Sequence, residues 1–235
     1  MAREPGGTEG NRGRTLMLLG GNEWHQEAES ADRWWLARAE RPLVTVVTSA
    51  AQDIPDTQVS WAARHFQELG ATVEGCQIQS CADAQDPVLL NQLHRASAIY
   101  LCGGDPRAAQ EALCQTPAGA ALKAAYRRGT PLAGSSAGAM VLGELCLLPG
   151  DGFSTAPGLG LFAAVVVPHW GGAGRRWQES AARLSQEHEV IAIDESTGAC
   201  WDGTGWRVRG PGRAVVVRGG RELPVAGERP SPPVE

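Results

Sequence analysis

Residues Gly134 to Ala139 read GSSAGA and set Ser136 at the centre of a GxSxG pattern. Small flanking residues permit the sharp strand-to-helix turn that lifts a hydroxyl clear of a sheet, and the amide of Ala137, opening the next helix, then points toward an anion. Ser135 is the rival hydroxyl, but it stands at the pattern's variable position. A serine hydroxyl of ordinary acidity is a weak nucleophile and needs a base within hydrogen-bond reach, most often histidine. The chain has five histidines. His65 and His94 fall in helical stretches, His188 in a polar run and His25 near the amino-terminal loop. His169 differs, because it closes the apolar run Val165 to Val167 plus Pro168 and so emerges where a strand ends. Composition alone offers a plainer reading of both: a glycine-rich turn in a chain with 30 Gly, and a loop histidine packed against Trp170. Their shared place at strand ends favours the chemistry.

The third member of such a set is a carboxylate that fixes the imidazole tautomer and stabilises its charged form. Asp151, in the loop PGDG, lies between Ser136 and His169 in the chain. Glu144, Asp194, Glu195 and Asp202 compete, Asp194 and Glu195 because they follow a strand and could line the same cleft. The spacing leaves the choice open. A second backbone donor for an oxyanion needs a turn with no side chain in the way, and Gly103 and Gly104 fit that need.

The elements that must carry these residues alternate. Strands are expected at Leu16 to Leu19, Leu43 to Val47, Thr72 to Ile78, Ala98 to Cys102 and Pro131 to Ala133. Helices fall between them over Glu27 to Arg38, from a cap at Asp56 to Leu69 with Gly70 closing it, over Pro87 to Arg95 and over Pro106 to Cys114. After Val165 the pattern loosens into short strands at Val165 to Val167, Val190 to Ile193, Trp206 to Val208 and Ala214 to Val217. Strands apolar throughout, alternating with helices, imply an α/β fold with a mostly parallel sheet covered on both faces. Sites in such sheets form at the carboxyl ends of the strands. The loops Gly20 to Trp24, Thr48 to Asp53 and Gly103 to Asp105 are therefore the places to look.

Composition narrows the classes. The 235 residues fit one domain, expected over 16–226 between an amino-terminal tail at 1–15 and a Pro-rich tail at 227–235. A net charge of −5 without a basic block argues against nucleic-acid binding. No apolar run approaches the roughly 18 residues that cross a bilayer. The six cysteines show no CxxC pair and no histidine at zinc-finger spacing, which reads as buried free thiols, no metal and, together with the lack of a secretory signal, a cytoplasmic protein.

Three segments together, GGDPRAA at Gly103 to Ala109, GSSAGA at Gly134 to Ala139 and VVVPHW at Val165 to Trp170, resemble the cyanophycinase and dipeptidase E family of serine peptidases. That resemblance implies a class I glutamine amidotransferase-like three-layer sandwich in which serine replaces cysteine. It implies Ser136 as nucleophile, His169 as base, Gly104 and Ala137 as oxyanion donors, and Asp151 near the position of dipeptidase E's acid. Cyanophycinases place a glutamate slightly later, where this chain has Phe153 and Ser154.

The family favours aspartyl substrates, so a small peptide is the implied partner and no cofactor is required. Arg175 and Arg176 could hold a substrate carboxylate through bidentate pairing, and Trp170 and Trp177 would flank a short cleft. Two other readings stand beside hydrolysis of aspartyl peptides: a GxSxG esterase, and a binding module whose triad is incomplete.

Overall fold

The run Leu16–Leu19 is apolar at every position because both of its faces are covered: Leu16 and Leu18 join one buried cluster, Met17 and Leu19 the other. This is the period-two rule of a strand with helices on either side. The computed structural model describes residues 13–149, 153–172 and 177–225. In chain order they form β1 (Leu16–Leu19), α1 (Glu29–Leu36), β2 (Leu43–Val47), α2 (Pro55–Glu68), β3 (Thr72–Cys76), α3 (Pro87–Arg95), β4 (Ile99–Leu101), α4 (Pro106–Leu113), α5 (Pro117–Arg127), β5 (Leu132–Ser135) and α6 (Ala137–Leu142). A strand-rich second half follows, with β6 (Leu145–Leu148), β7 (Ser154–Pro157), β8 (Val165–Val167), α7 (Gln178–Leu184), β9 (Val190–Ile193), β10 (Gly198–Trp201), β11 (Trp206–Arg209), β12 (Ala214–Arg218) and β13 (Arg221–Pro224).

The main sheet has the order β11-β10-β1-β5-β4-β2-β3. Its five strands from β1 to β3 are mutually parallel, and β10 and β11 add antiparallel at one side. On one face Met17, Leu19, Val46 and Tyr100 pack on Trp35 of α1 and Phe66 of α2; on the other, Leu16, Leu18 and Leu101 pack on Leu113, Leu122 and Leu142. This is the expected α/β sandwich. Helix starts follow local chemistry: Pro fills the first turn of α2, α3, α4 and α5, and the side chains of Asp86, Asp105 and Thr116 cap the last three. The cap expected at Asp56 falls elsewhere, because Pro55 already opens α2 and Ile54 stands at the cap position.

Of the loosened second half, β10 and β11 join the main sheet, β8, β9, β12 and β13 form a sheet in the order β13-β12-β9-β8, and β6 pairs with β7 in a two-stranded ribbon. Because β8 pairs parallel with β9, the segments after both strands leave from the same end. Thr15, within the expected amino-terminal tail, is buried, and its carbonyl accepts the amide of Leu132 at 3.0 Å. Residues 227–235 lie outside the described residues. Among those described, no helix is long and apolar enough to cross a membrane.

Candidate active site

Strand β1 ends in Gly20 and Gly21, and three consecutive carbonyls there hold three separate segments. Leu19 O accepts the Ser136 amide at 3.0 Å, Gly20 O the His169 amide at 2.9 Å, and Gly21 O the Ser196 amide at 3.0 Å. Neither glycine tolerates a side chain. A Cβ on Gly20 would stand 2.1 Å from the carbonyl oxygen of Asp194, and one on Gly21, where φ is +114°, would stand 2.1 Å from Cε1 of His169.

Ser136 follows β5 directly and precedes α6. Its backbone is at φ 48°, ψ −114°, a sparsely populated region for any residue but glycine. Its own carbonyl accepts the amides of Ala139 and Met140, both at 3.0 Å, so the helix behind the bend is anchored to the residue that makes it. The close turn needs Gly134 and Gly138, because a Cβ on Gly134 would stand 2.4 Å from Gly138 O and one on Gly138 would stand 2.2 Å from Leu101 O. The first amide of α6, at Ala137, has no partner within its helix.

The hydroxyl of Ser136 lies 2.9 Å from Nε2 of His169, and Nδ1 of the same ring lies 2.9 Å from Oε1 of Glu195. One tautomer serves both contacts: Nδ1–H donates to the carboxylate and Nε2 accepts from the hydroxyl. His169 takes a positive φ of 55°, which turns the ring back over Gly21. Glu195 comes from the two-residue step after β9, where the positive φ of Ser196 reverses the chain and the Ser196 hydroxyl accepts from Asn22 at 2.7 Å.

The other carboxylates that competed for this place are elsewhere. Asp194 accepts the amide of Arg213 at 2.8 Å. Glu144 pairs with His188 at 2.8 Å. Asp202 caps the β10–β11 turn through Thr204 and Gly205 and pairs with Arg207 at 3.0 Å. Burial alone would raise its pKa, but these hydrogen bonds outweigh that and hold it at about 2. Asp151, Arg175 and Arg176 lie outside the described residues.

Trp170 is not a cleft residue, contrary to the expectation. Its amide bonds to Ile193, which carries the side chain away from the His169 ring into a cluster with Trp177 and Val167, and its indole N–H donates to Glu222 at 3.2 Å. Trp177 is buried too, 4.4 Å from Phe153 between ring centres.

Above Ser136 and His169 lies a cleft of about 800 Å³, walled by the three loops that follow β1, β2 and β4. Glu23, Asp53 and Asp105 face it, and no lysine or arginine does among the described residues. A neighbouring hollow of about 660 Å³, with Trp24, Trp61 and Arg64 in its walls, shares Glu23 and Gln58 with the cleft. Gly104 stands at the cleft edge with φ +142°, where a Cβ would lie 2.0 Å from Ala50 O. Glu23 is the residue that sequence reasoning passed over. The loop Gly20 to Trp24 pointed to its neighbourhood, but nothing in the spacing distinguished this carboxylate.

The family model for peptidase family S51 matches residues 16–208. Cyanophycinases from Synechococcus elongatus and from Thermosynechococcus vestitus are each 30% identical over 189 residues, 74% of this chain and 58% of theirs. The chain thus spans less than two thirds of the length of the curated relatives it matches. Among solved structures, a peptidase from an acI-B1 Actinobacterium superposes with a TM-score of 0.77 at 24% identity, covering 94% of this chain and 98% of that one. A putative peptidase E protein from Listeria monocytogenes EGD-e gives 0.63 at 16% identity, covering 85% and 99%.

Proposed function

The chain belongs to peptidase family S51, and from that premise we propose that it hydrolyses short peptides through a covalent acyl-enzyme on Ser136. The observation that carries this reading is the unbroken hydrogen-bonded line from Ser136 through His169 to Glu195. The Ser136 oxygen attacks the peptide carbonyl carbon while its proton passes to His169 Nε2. As the tetrahedral intermediate collapses the C–N bond breaks, and the departing amine takes the proton from Nε2. Water then attacks the ester, again giving a proton to Nε2; the C–O bond to Ser136 breaks and the serine recovers its proton. Glu195 does not take the proton. It holds the ring in the tautomer that leaves Nε2 free and offsets the charge of the imidazolium.

The amides of Ala137 and Gly104 are the proposed oxyanion donors. Preorganised donors of this kind contribute about 10²–10³ in rate each. Glu195, one of the carboxylates open at the outset, is proposed for the role first given to Asp151, on the strength of its bond to His169 Nδ1. The peptidase family match favours hydrolysis over the binding-module reading.

The finer proposal is an aspartyl substrate. Names support it: the family match, the cyanophycinase relatives and the putative peptidase E fold neighbour. The described cleft wall is acidic, so a cation for the substrate's carboxylate must come from elsewhere. Arg175 and Arg176, six and seven residues past His169, are proposed for that task.

A panel of dipeptides with amino-terminal aspartate, in α and β linkage, tests the whole. Wild type is expected to release aspartate and to be labelled by a fluorophosphonate at Ser136; Ser136→Ala is expected to do neither. Full turnover by Ser136→Ala would sink the serine mechanism. Wild-type labelling without aspartate release would sink the substrate alone.

A further inference from the structure

Glu23 stands outside the line of Ser136, His169 and Glu195, yet its carboxylate joins the two backbone segments that must stay in register. Oε1 accepts the amide of Gly103 at 2.7 Å, and Oε2 accepts the hydroxyl of Ser135 at 2.7 Å. Ser135 immediately precedes Ser136, and Gly103 immediately precedes Gly104. The approach is close: a Cβ built on Gly103 would lie 2.7 Å from Glu23 Oε1 and 3.3 Å from Cβ of Ser136.

This fixes the peptide group between two pinned neighbours. The Gly103 amide is committed to Glu23, and the Asp105 amide to Ala50 O at 2.7 Å. The amide between them belongs to Gly104. With both flanks anchored, its direction relative to Ser136 is set by how firmly the two anchors hold. Of the two anchors, Glu23 is the one that also reaches the strand end bearing Ser136, through Ser135. Both of its partners are donors, which suits an acceptor-only carboxylate, and bonds to an ionised acceptor are roughly twice as strong as neutral ones.

We propose that Glu23 is a positioning residue that holds the Gly104 amide in place for the oxyanion by clamping Gly103 to Ser135. The proposal rests on the reading of Ser136 as nucleophile and Gly104 as oxyanion donor. A donor displaced by about 1 Å costs on the order of 10²-fold in rate, while substrate binding, which precedes the developing charge, changes little.

The substitutions separate this role from a second use of the same charge, capture of a substrate ammonium group. In Glu23→Gln the side-chain carbonyl can accept from Gly103 and the amide N–H can donate to the Ser135 oxygen, since a hydroxyl both donates and accepts. Both ties survive and the charge is lost. In Glu23→Ala both ties go. Ser135→Ala removes one tie and leaves the net charge unchanged.

The readouts are kcat and KM on the aspartyl dipeptide and the rate of fluorophosphonate labelling at Ser136, whose phosphoryl oxygen takes the oxyanion position and which requires no known substrate. The clamp predicts that Glu23→Ala lowers kcat and the labelling rate about 10- to 100-fold with KM within about threefold. Ser135→Ala should fall in the same direction by less, and Glu23→Gln should recover most of both rates. Unchanged rates in Glu23→Ala would overturn the clamp. So would a Glu23→Gln loss confined to KM and absent for amino-terminally acetylated peptides, which marks ammonium capture. If Glu23→Ala does not fold, the order of Glu23→Gln above Ser135→Ala decides, and the reverse order refutes the clamp. An active Ser136→Ala would instead refute the underlying mechanism, a result these variants cannot mimic.

Discussion

The carbonyl of Gly20 receives the amide of His169 at 2.9 Å, so the end of the first strand sets where the imidazole begins. The carbonyls on either side of it anchor Ser136 and Ser196. The three segments come from distant parts of the chain, and a three-residue stretch of backbone holds their spacing. Each bond contributes only about 1 kcal/mol net, but their consequence is geometric: a shift of the β1 end moves Ser136, His169 and the segment bearing Glu195 together.

Gly21→Ala tests that arrangement at its tightest point. The added methyl would overlap Cε1 of His169 at 2.1 Å in a backbone that disfavours any side chain. The ring must move, and the hydroxyl–imidazole bond lengthens with it. Turnover and fluorophosphonate labelling are expected to drop about 100-fold or more. Wild-type rates in a folded Gly21→Ala protein would show that the ring position is not set there.

The acid can be identified by a pair of substitutions. Glu195→Gln keeps the size of the side chain but can offer an N–H toward Nδ1, which favours the wrong tautomer; a loss of about 10²–10⁴ in kcat is expected. Asp151→Asn is expected to stay within about threefold of wild type. Steady-state kinetics of the two variants decide between them, and the opposite order would restore Asp151.

Much of this was readable in advance where one signal dominates. The strands Leu16–Leu19, apolar throughout, and Leu43–Val47, apolar but for Thr45, and the proline-led starts at Pro87 and Pro106 match the structure because burial on both faces and fixed backbone angles are local properties. That Ser136 and His169 share one edge of the fold was readable because each follows a strand, and the structure brings them to 2.9 Å. That Glu195 rather than Asp194 contacts His169 was not readable. The two differ by one position, and which faces His169 depends on the reversal at Ser196, imposed by a carbonyl more than 170 residues earlier in the chain. The strand Gly198–Trp201 was invisible for a related reason: its opening Gly-Ala has no β preference, and its pairing with β1 supplies the structure. Trp170 neighbours His169 in sequence but not in the cleft, because its amide bonds to Ile193 and its side chain joins the cluster with Trp177 and Val167.

Asp202 predicts a pH signature of stability unrelated to catalysis. Its folded pKa of about 2 lies below the ordinary carboxylate value. A depressed pKa means the ionised form is favoured by folding, so its contribution is complete above about pH 4 and declines as pH falls toward 2. Asp202→Asn should therefore lower Tm at pH 7, and the gap to wild type should narrow over that acid range. Thermal scans from pH 7 to 2 measure it. A gap constant with pH would mean that the turn does not depend on the charge.

The thiols supply a test of serine against cysteine chemistry. Burial raises the thiols of Cys76, Cys146 and Cys200 to about 12 and Cys114 to about 11, and pushes Cys102 higher still. A thiol attacks as thiolate, so at neutral pH these five have almost none to offer and are shielded as well. Cys81 is the exposed one, and its sulfur faces the carbonyl of Glu111, away from the residues that wall the cleft. Iodoacetamide should modify Cys81 first, as mass spectrometry of the intact native protein would show, and the singly modified protein should keep its full rate of peptide hydrolysis. Loss of activity in step with alkylation would place a cysteine in the mechanism and displace Ser136 from it.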